Sequence, residues 1–519
     1  MKWNPRISAW QFPRTRLQIL YRHWIIIWWL GWLTNFSRLG LAFSFEDVQG
    51  RARDLAGRQY ERSSTNIPEA LLRLDYDQYR RIQFVHKRAW WGAEGLPFQL
   101  EFFLPGNFHK QIVPIDQIVN GQAQVIPFDP TLFEIDTNRL PLPATASGYA
   151  GFRLEYSPAS FGEVTAFLDA TYFRMIGRGQ SYGASARGLA IDTTSTQPEE
   201  FPIFKQFWVE RPGRSDMEIS LFALLDSPSV SGAYHFVIHP GSITTAKVQA
   251  TLFPRVQIKQ LGLAPLTSMF LYDENSKPPY GDYRPEVHDS DGLLIHNGHD
   301  EWIWRPLETK KRLRDNTFWD ENPLGFGLMQ RQRNFTKYQD PEARYEDRPS
   351  VWIQPHGKWG KGAVELIQLP SGKEAADNIV AFWTPAAPLK AGGRIDLEYE
   401  MSWMNSDPEP PTLGRVLATR FGRIVNKSAD WGISVDFAAP LTEAASPQLQ
   451  PEIAFGPDVQ GVSTNLFKVP ETGVWRLVME IVEPKQTVEM RAFLKNGERP
   501  LTETWTFTWH PDDLIGPAQ

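Results

Sequence analysis

The sequence predicts an all-β protein built from sandwiches, and three observations carry that expectation. The 519 residues include 20 Trp, 15 Tyr and 32 Phe alongside 41 Pro and 38 Gly, a pairing of strand-forming with turn-forming residues. Apolar side chains recur at every second position in many short runs, the period of half-buried strands. No alternation of strand-like and helix-like segments is visible, which argues against a parallel α/β architecture. A chain of this length exceeds one core, so more than one domain is expected. The boundaries fall at a leader over 1–42, a large N-terminal sandwich over 43–404, a linker over 405–414 and a small sandwich over 415–519.

The leader reads as an export signal. No acidic residue precedes Glu46, while Lys2, Arg6, Arg14, Arg16 and Arg22 precede the apolar run Trp24–Leu33. That run is too short to cross a hydrocarbon core of roughly 30 Å, and Gly40-Leu41-Ala42 supplies the small-x-small pattern of a cleavage site. The absence of cysteine excludes disulfides, thiolate metal sites and a cysteine nucleophile. A net charge of −6 argues against nucleic acid as a partner.

Ser44 caps a predicted short helix with Asp47 three residues on, and Phe45, Val48, Ala52 and Leu55 hold helical spacing to about Tyr60, as a lid over a sheet. Strands are expected at 98–104, 152–156, 218–225, 234–238 and 247–253, separated by Pro and Gly turns. The stretch from Asn405 to Gly414 (NSDPEPPTLG) reads as a stiff linker. Beyond it, Trp431 to Phe437, Val474 to Val482, the Asn496-Gly497 turn and Trp505 to Trp509 suggest an immunoglobulin-like sandwich.

Chemistry concentrates in Tyr283–Gly292 (YRPEVHDSDG), where Arg284, Glu286, His288, Asp289 and Asp291 crowd between apolar runs. Loops carried on sheets are common sites of function, and the competing reading is a solvated turn of local ion pairs. His296, His299 and Asp300 (HNGHD) match no zinc spacing and read as a polar hairpin turn rather than a metal site. The chain lacks a nucleophile elbow in strand-to-helix context and a phosphate-binding lysine loop, so neither a serine hydrolase nor a nucleotide enzyme is expected, and no cofactor is implied. Tyr182 and Arg187, beside glycines, suit a cleft wall. Paired carboxylates remain, and with abundant aromatics their natural substrate is a sugar chain. An inverting glycosidase needs one protonated and one ionised carboxyl about 6.5–9.5 Å apart. Asp289 is one candidate. Asp377 is the other, because it abuts the apolar run Ile379–Trp383, where desolvation would keep it protonated, although by composition alone an ordinary Asx turn is the favoured reading.

The motifs SARGLAIDT, ALLDSP, APLTSMF, YRPEVHDSDGL, EWIWRPL, ENPLGFGLMQR, RYEDRPSVWIQPHGKWGKG and DNIVAFWTP, in this order, closely resemble the periplasmic glucan biosynthesis proteins G and D of Gram-negative bacteria. The likeness spans nearly everything after the leader, and the interrupted Arg14-Thr15-Arg16 favours the G branch. The resemblance implies a galactose-mutarotase-like N-terminal β-sandwich, an immunoglobulin-like C-terminal domain and a periplasmic location. It further implies action on β-1,2-glucan as an inverting endo-glucanase, with Asp377 as general acid and Asp289 as general base through a chain of waters. Glu374 and Tyr345 would bind substrate and order that relay, with Arg284, His288, Tyr182 and Arg187 around them. Transglycosylation and non-catalytic glucan binding or export are the competing functions, and the inner-membrane glucan synthase is an expected partner.

Overall fold

The computed structural model describes residues 42–511, apart from 63–66, 135–147, 159–160, 169, 195–197, 277, 279–280, 309–310, 409–412, 425–429, 439–448, 458 and 460–461. The expected leader therefore lies outside the described residues but for its last position, as does the middle of the linker. Among the described residues the protein is an all-β sandwich, with few and short helices.

Two large sheets build it. The first runs, in hydrogen-bonded order, through Phe98–Phe103, Gly151–Tyr156, Gly162–Leu168, Tyr172–Met175, Ser185–Arg187, Leu261–Ser268, Ile379–Pro385, Lys361–Gln368 and Arg314–Glu321. The second has Val230–His239, Thr244–Pro254 and Ile395–Met404 at its centre, paired antiparallel over long registers. Their inner faces meet through aromatic rings: Phe152 lies 5.1 Å from Phe207, Phe167 5.4 Å from Phe236, and Phe173 6.2 Å from Trp403. Such alternation of inward apolar and outward polar residues is what the period-two runs require.

The expected lid helix forms over Phe45–Ala56, ending four residues earlier than predicted, where Gly57 stops it. Asp47 accepts from the Ser44 backbone N–H at 2.7 Å, and Val48 and Ala52 pack on Trp208, Phe222 and Phe253 across the outer face of the second sheet.

After the linker, Val416–Arg423, Asp430–Phe437, Trp475–Val482 and Ser463–Lys468 form a four-stranded sheet of their own. The strands Gln450–Phe455, Val488–Asn496 and Thr504–Trp509 instead extend the second large sheet, through parallel pairing of Ile303 with Thr504 and Trp304 with Trp505. The core of this end is shared as well. Val435, Met479, Trp505 and Trp509 bury against Leu294, Trp304, Met329 and Trp352 from before the linker. Arg331 fastens the seam: it stacks 3.7 Å over Trp304, reaches Glu503 at 2.7 Å and Asp407 at 3.1 Å, and donates to the Val416 carbonyl at 2.9 Å. The small sandwich thus closes its core only with help from the large one.

Candidate active site

The two carboxylates far apart in sequence come together because one short segment anchors both. The strand Leu261–Ser268 ends beside Ile379, and the chain continues through Met269 and Phe270. The Met269 carbonyl accepts from the Asp289 N–H at 2.8 Å. One residue on, Phe270 is bracketed by the Asn378 amide, which accepts from its N–H at 2.9 Å and donates to its carbonyl at 2.9 Å. Asn378 also donates to the Leu369 carbonyl at 3.1 Å, closing the base of the 369–378 loop that carries Glu374 and Asp377. Val287-His288 pairs with Phe270–Tyr272, and Ser268 and Ser290 share a hydroxyl hydrogen bond of 2.8 Å. The charged stretch 283–292 is therefore not a solvated turn: Glu286, His288, Asp289 and Ser290 are all buried.

Asp289 is held by Arg348, whose Nη1 donates to its Oδ1 and whose guanidinium lies 4.2 Å over the Tyr345 ring. Room for Arg348 is made by Gly183, where a Cβ would come within 2.8 Å of the Arg348 Cβ. Tyr345, fully buried, donates its hydroxyl to Glu374 Oε1. Glu374 is gripped in turn by Arg284, through Nη1 at 3.0 Å and Nη2 at 2.7 Å, and Arg284 also reaches Asp282 and Asp340, each at 2.8 Å. A continuous polar chain runs from Asp289 through Arg348 and Tyr345 to Glu374 and Arg284. Such fork-to-fork contacts fix orientation as well as charge.

The two aspartates sit in unlike settings, but with burial the reverse of expectation. Asp377 is 28% exposed and lies 4.0 Å from Arg174, whose Nε donates to Ser185 Oγ at 2.7 Å. The loop lifts its carboxyl off the apolar strand that was expected to dry it. Asp289 takes the buried place. Burial pushes its carboxyl up, Arg348 pulls it down and the charge of Asp377 adds a further push, leaving it above the ordinary carboxylate range. Glu374 is held below that range by the hydrogen bonds of Arg284 and then of Tyr345. Tyr345 is raised by burial and by Glu374, so its phenol stays protonated.

Not every expected residue joins. Tyr182 borders the site and donates to Glu163 at 2.8 Å. Arg187 is buried behind Tyr172, 4.7 Å from its ring, and pairs with Glu199 at 2.7 Å. His288 faces the other way, within 3.1 Å of Gln330 and 3.4 Å of Glu286. In the HNGHD turn His296 stacks 4.1 Å from Trp302 and contacts Asp300 at 2.7 Å, while the Asn297 side chain accepts from the backbone of His299 and Glu301. Arg348, Arg174, Gly183 and Asn378 were not singled out by sequence reasoning. Arg348 stands inside the RYEDRPSVW motif and Asn378 directly follows Asp377, so both were within reach. Arg174 lies in an ordinary alternating strand and carried no signal.

An all-β sandwich with a cluster of interlocked carboxylates and arginines, set at one end of a sheet, is the class of molecule these features define. The chain belongs to the family described as periplasmic glucan biosynthesis protein, MdoG, whose model matches residues 43–509. It is 43% identical to glucans biosynthesis protein G of Ralstonia nicotianae, covering 92% of this chain and 97% of that one. It is 40% identical to glucans biosynthesis protein G of Pseudomonas paraeruginosa over 91% of this chain and 94% of the relative. Probable glucans biosynthesis protein D of Shewanella oneidensis is 41% identical over 91% and 89%, so relatives of both names match almost equally.

Proposed function

We propose that this protein serves periplasmic glucan biosynthesis as an inverting endo-β-1,2-glucanase. The observation that carries the reading is the shared anchor at Met269-Phe270, which holds Asp289 and the Asp377 loop together while giving the two carboxyls opposite burial. In the proposed step Asp377 donates a proton to the glycosidic oxygen as the C1–O bond breaks, and water forms the new bond to C1 from the opposite face. The proton lost by that water passes to Asp289. A base performs best when its own acid strength approaches the working pH, and a buried carboxyl raised by desolvation and drawn back down by Arg348 suits that task. Asp377 meets the leaving oxygen from its partly open position, and bound glucan would supply the desolvation that the free cleft lacks. The Tyr345 hydroxyl and Glu374 then order the water path, since the Tyr345 proton is committed to Glu374, whose carboxylate is itself held by Arg284. Arg284 acts through Glu374 rather than on substrate.

Export would be directed by residues 1–42 and end with their removal, and the mass of the secreted chain tests that: an intact Met1 terminus would sink it. For the reaction, purified protein is incubated with linear β-1,2-glucan while product size and anomer are followed. The expected result is shorter chains of inverted anomer. Asp377→Asn and Asp289→Asn should each lose about 10²–10⁴ in turnover, and a glucoside with a good leaving group should rescue only Asp377→Asn. Longer or closed chains would show sugar, not water, as acceptor, and an unchanged glucan would leave a binding role.

A further inference from the structure

A cavity of about 350 Å³ lies at the seam between the two sandwiches, lined by His288 and Asp291 but not by Asp289. Its size falls in the range of small-molecule sites, roughly 300–1,000 Å³. One wall comes from before the linker and the other from Thr419, Arg420, Phe421 and Phe507 after it. The Asn275 amide crosses between them to the Thr419 carbonyl at 2.8 Å.

Most of the charges lining this cavity are already tied to one another or to backbone N–H groups. Lys337 reaches Glu274 at 3.0 Å and Glu286 at 3.1 Å; Arg420 reaches Glu274 and Asp436, each at 2.9 Å. Asp291 accepts from the Gln332 N–H at 2.8 Å and from the Arg331 N–H. An ionic ligand would have to break such pairs and leave a charge uncompensated. A neutral polyhydroxyl ligand would not. A carboxylate has about four acceptor sites and a guanidinium five donors, so paired Asp, Glu and Arg side chains still offer both to hydroxyls. Phe421, Phe507 and Trp304 supply apolar faces in the same cavity, the complement of a sugar ring's C–H surface.

We propose that the seam cavity is a second saccharide site, which takes a short neutral gluco-oligosaccharide apart from the carboxylate cleft. The glucose chemistry rests on the family reading above; the site itself does not require that the protein hydrolyse anything. Its position gives it reach. The Phe270 and His288 rings stacked 5.3 Å apart form part of the wall, and the backbone of this same segment ties down both Asp289 and Asn378. A sugar bound here therefore braces the segment on which both carboxylates hang.

The test uses the full chain, β-1,2-glucobiose and linear β-1,2-glucan in titration calorimetry, with wild type and Ala418→Trp. Ala418 lines the cavity from a half-buried strand position, so the indole fills it. Wild type is expected to show two classes of site for the disaccharide. Ala418→Trp, melting near the wild-type temperature, should lose at least tenfold affinity in one class and keep the polymer binding of the cleft. A crystal structure of wild type with the disaccharide provides a reading independent of the variant and should show it between Phe421 and His288. Identical titrations of wild type and Ala418→Trp, or a seam holding only solvent while the cleft is occupied, overturn the proposal and spare the glucanase reading. If neither saccharide binds anywhere, both fall.

Discussion

Removing the guanidinium beside Asp289 by Arg348→Met perturbs the proposed base without touching its carboxyl. Asp289 is buried, and Arg348 is the cation that contacts it. At an effective dielectric near 20, charges about 4 Å apart attract by ~4 kcal/mol. Full loss of that attraction would raise the Asp289 carboxyl further, because only its ionised form gains from the cation. Water entering the space left by Arg348 returns part of this, and the net change stays upward. The folded Asp289 already binds its proton more tightly than the unfolded chain does. Its contribution to stability is therefore complete below the unfolded value near 3.8 and is lost as pH rises through the raised folded value. Arg348→Met pushes the upper end of that window higher. For catalysis the consequence is opposite in sense, because the base must be ionised. The acidic limb of kcat/KM on linear β-1,2-glucan should move to higher pH, with activity recovering as pH rises. Arg348→Lys restores the charge but not the planar stack on Tyr345, so its limb should return towards wild type while kcat stays reduced. An unmoved acidic limb in Arg348→Met, with wild-type turnover, would refute the argument that Arg348 keeps Asp289 ionised.

Gly183→Ala should act on the same pair from below: its Cβ would meet the Arg348 Cβ at 2.8 Å, so kcat is expected to fall while the unfolding midpoint moves little, and unchanged kinetics would show that Arg348 does not need that space. Asn378→Ala removes three hydrogen bonds at the loop base and leaves buried Phe270 backbone groups unpaired, at a cost of about 1–3 kcal/mol for each orphaned group. Denaturant unfolding reads that loss, and wild-type stability with wild-type turnover would count against the shared anchor. At the seam, Glu503→Gln leaves the buried Arg331 with Asp407 as its remaining carboxylate partner and should destabilise by about 1.5–3 kcal/mol. We propose that residues 43–404 and 415–519 are two domains joined at 405–414. Limited proteolysis should cut wild type at that linker, and Glu503→Gln should be cut faster there; cleavage within the strand runs instead would argue against the division.

The local facts of this protein were legible in its residue order. Period-two runs place Phe98, Phe152 and Trp431 on buried faces because strand geometry alone dictates which side a residue takes, and Ser44 with Asp47 starts a helix through bonds that span three residues. The motifs around Asp289 and Asp377 pointed to the carboxylates, and Tyr345, Glu374 and Arg284 are found joined in one hydrogen-bonded chain. What sequence could not decide is which carboxyl is dry. Asp377 precedes an apolar strand yet its loop turns it outward to 28% exposure, whereas Asp289, amid charges, is buried by the pairing of its segment with Phe270–Tyr272. His288 and Asp289 are neighbours that face opposite ways, His288 lining the seam cavity and Asp289 meeting Arg348, since successive side chains of an extended segment point to opposite sides. Whether residues after the linker fold alone is equally nonlocal, because Trp505 pairs with Trp304 and completes a core begun two hundred positions earlier. Burial and charge pairing are set by what arrives from elsewhere in the chain, and only the tertiary structure brings those partners together.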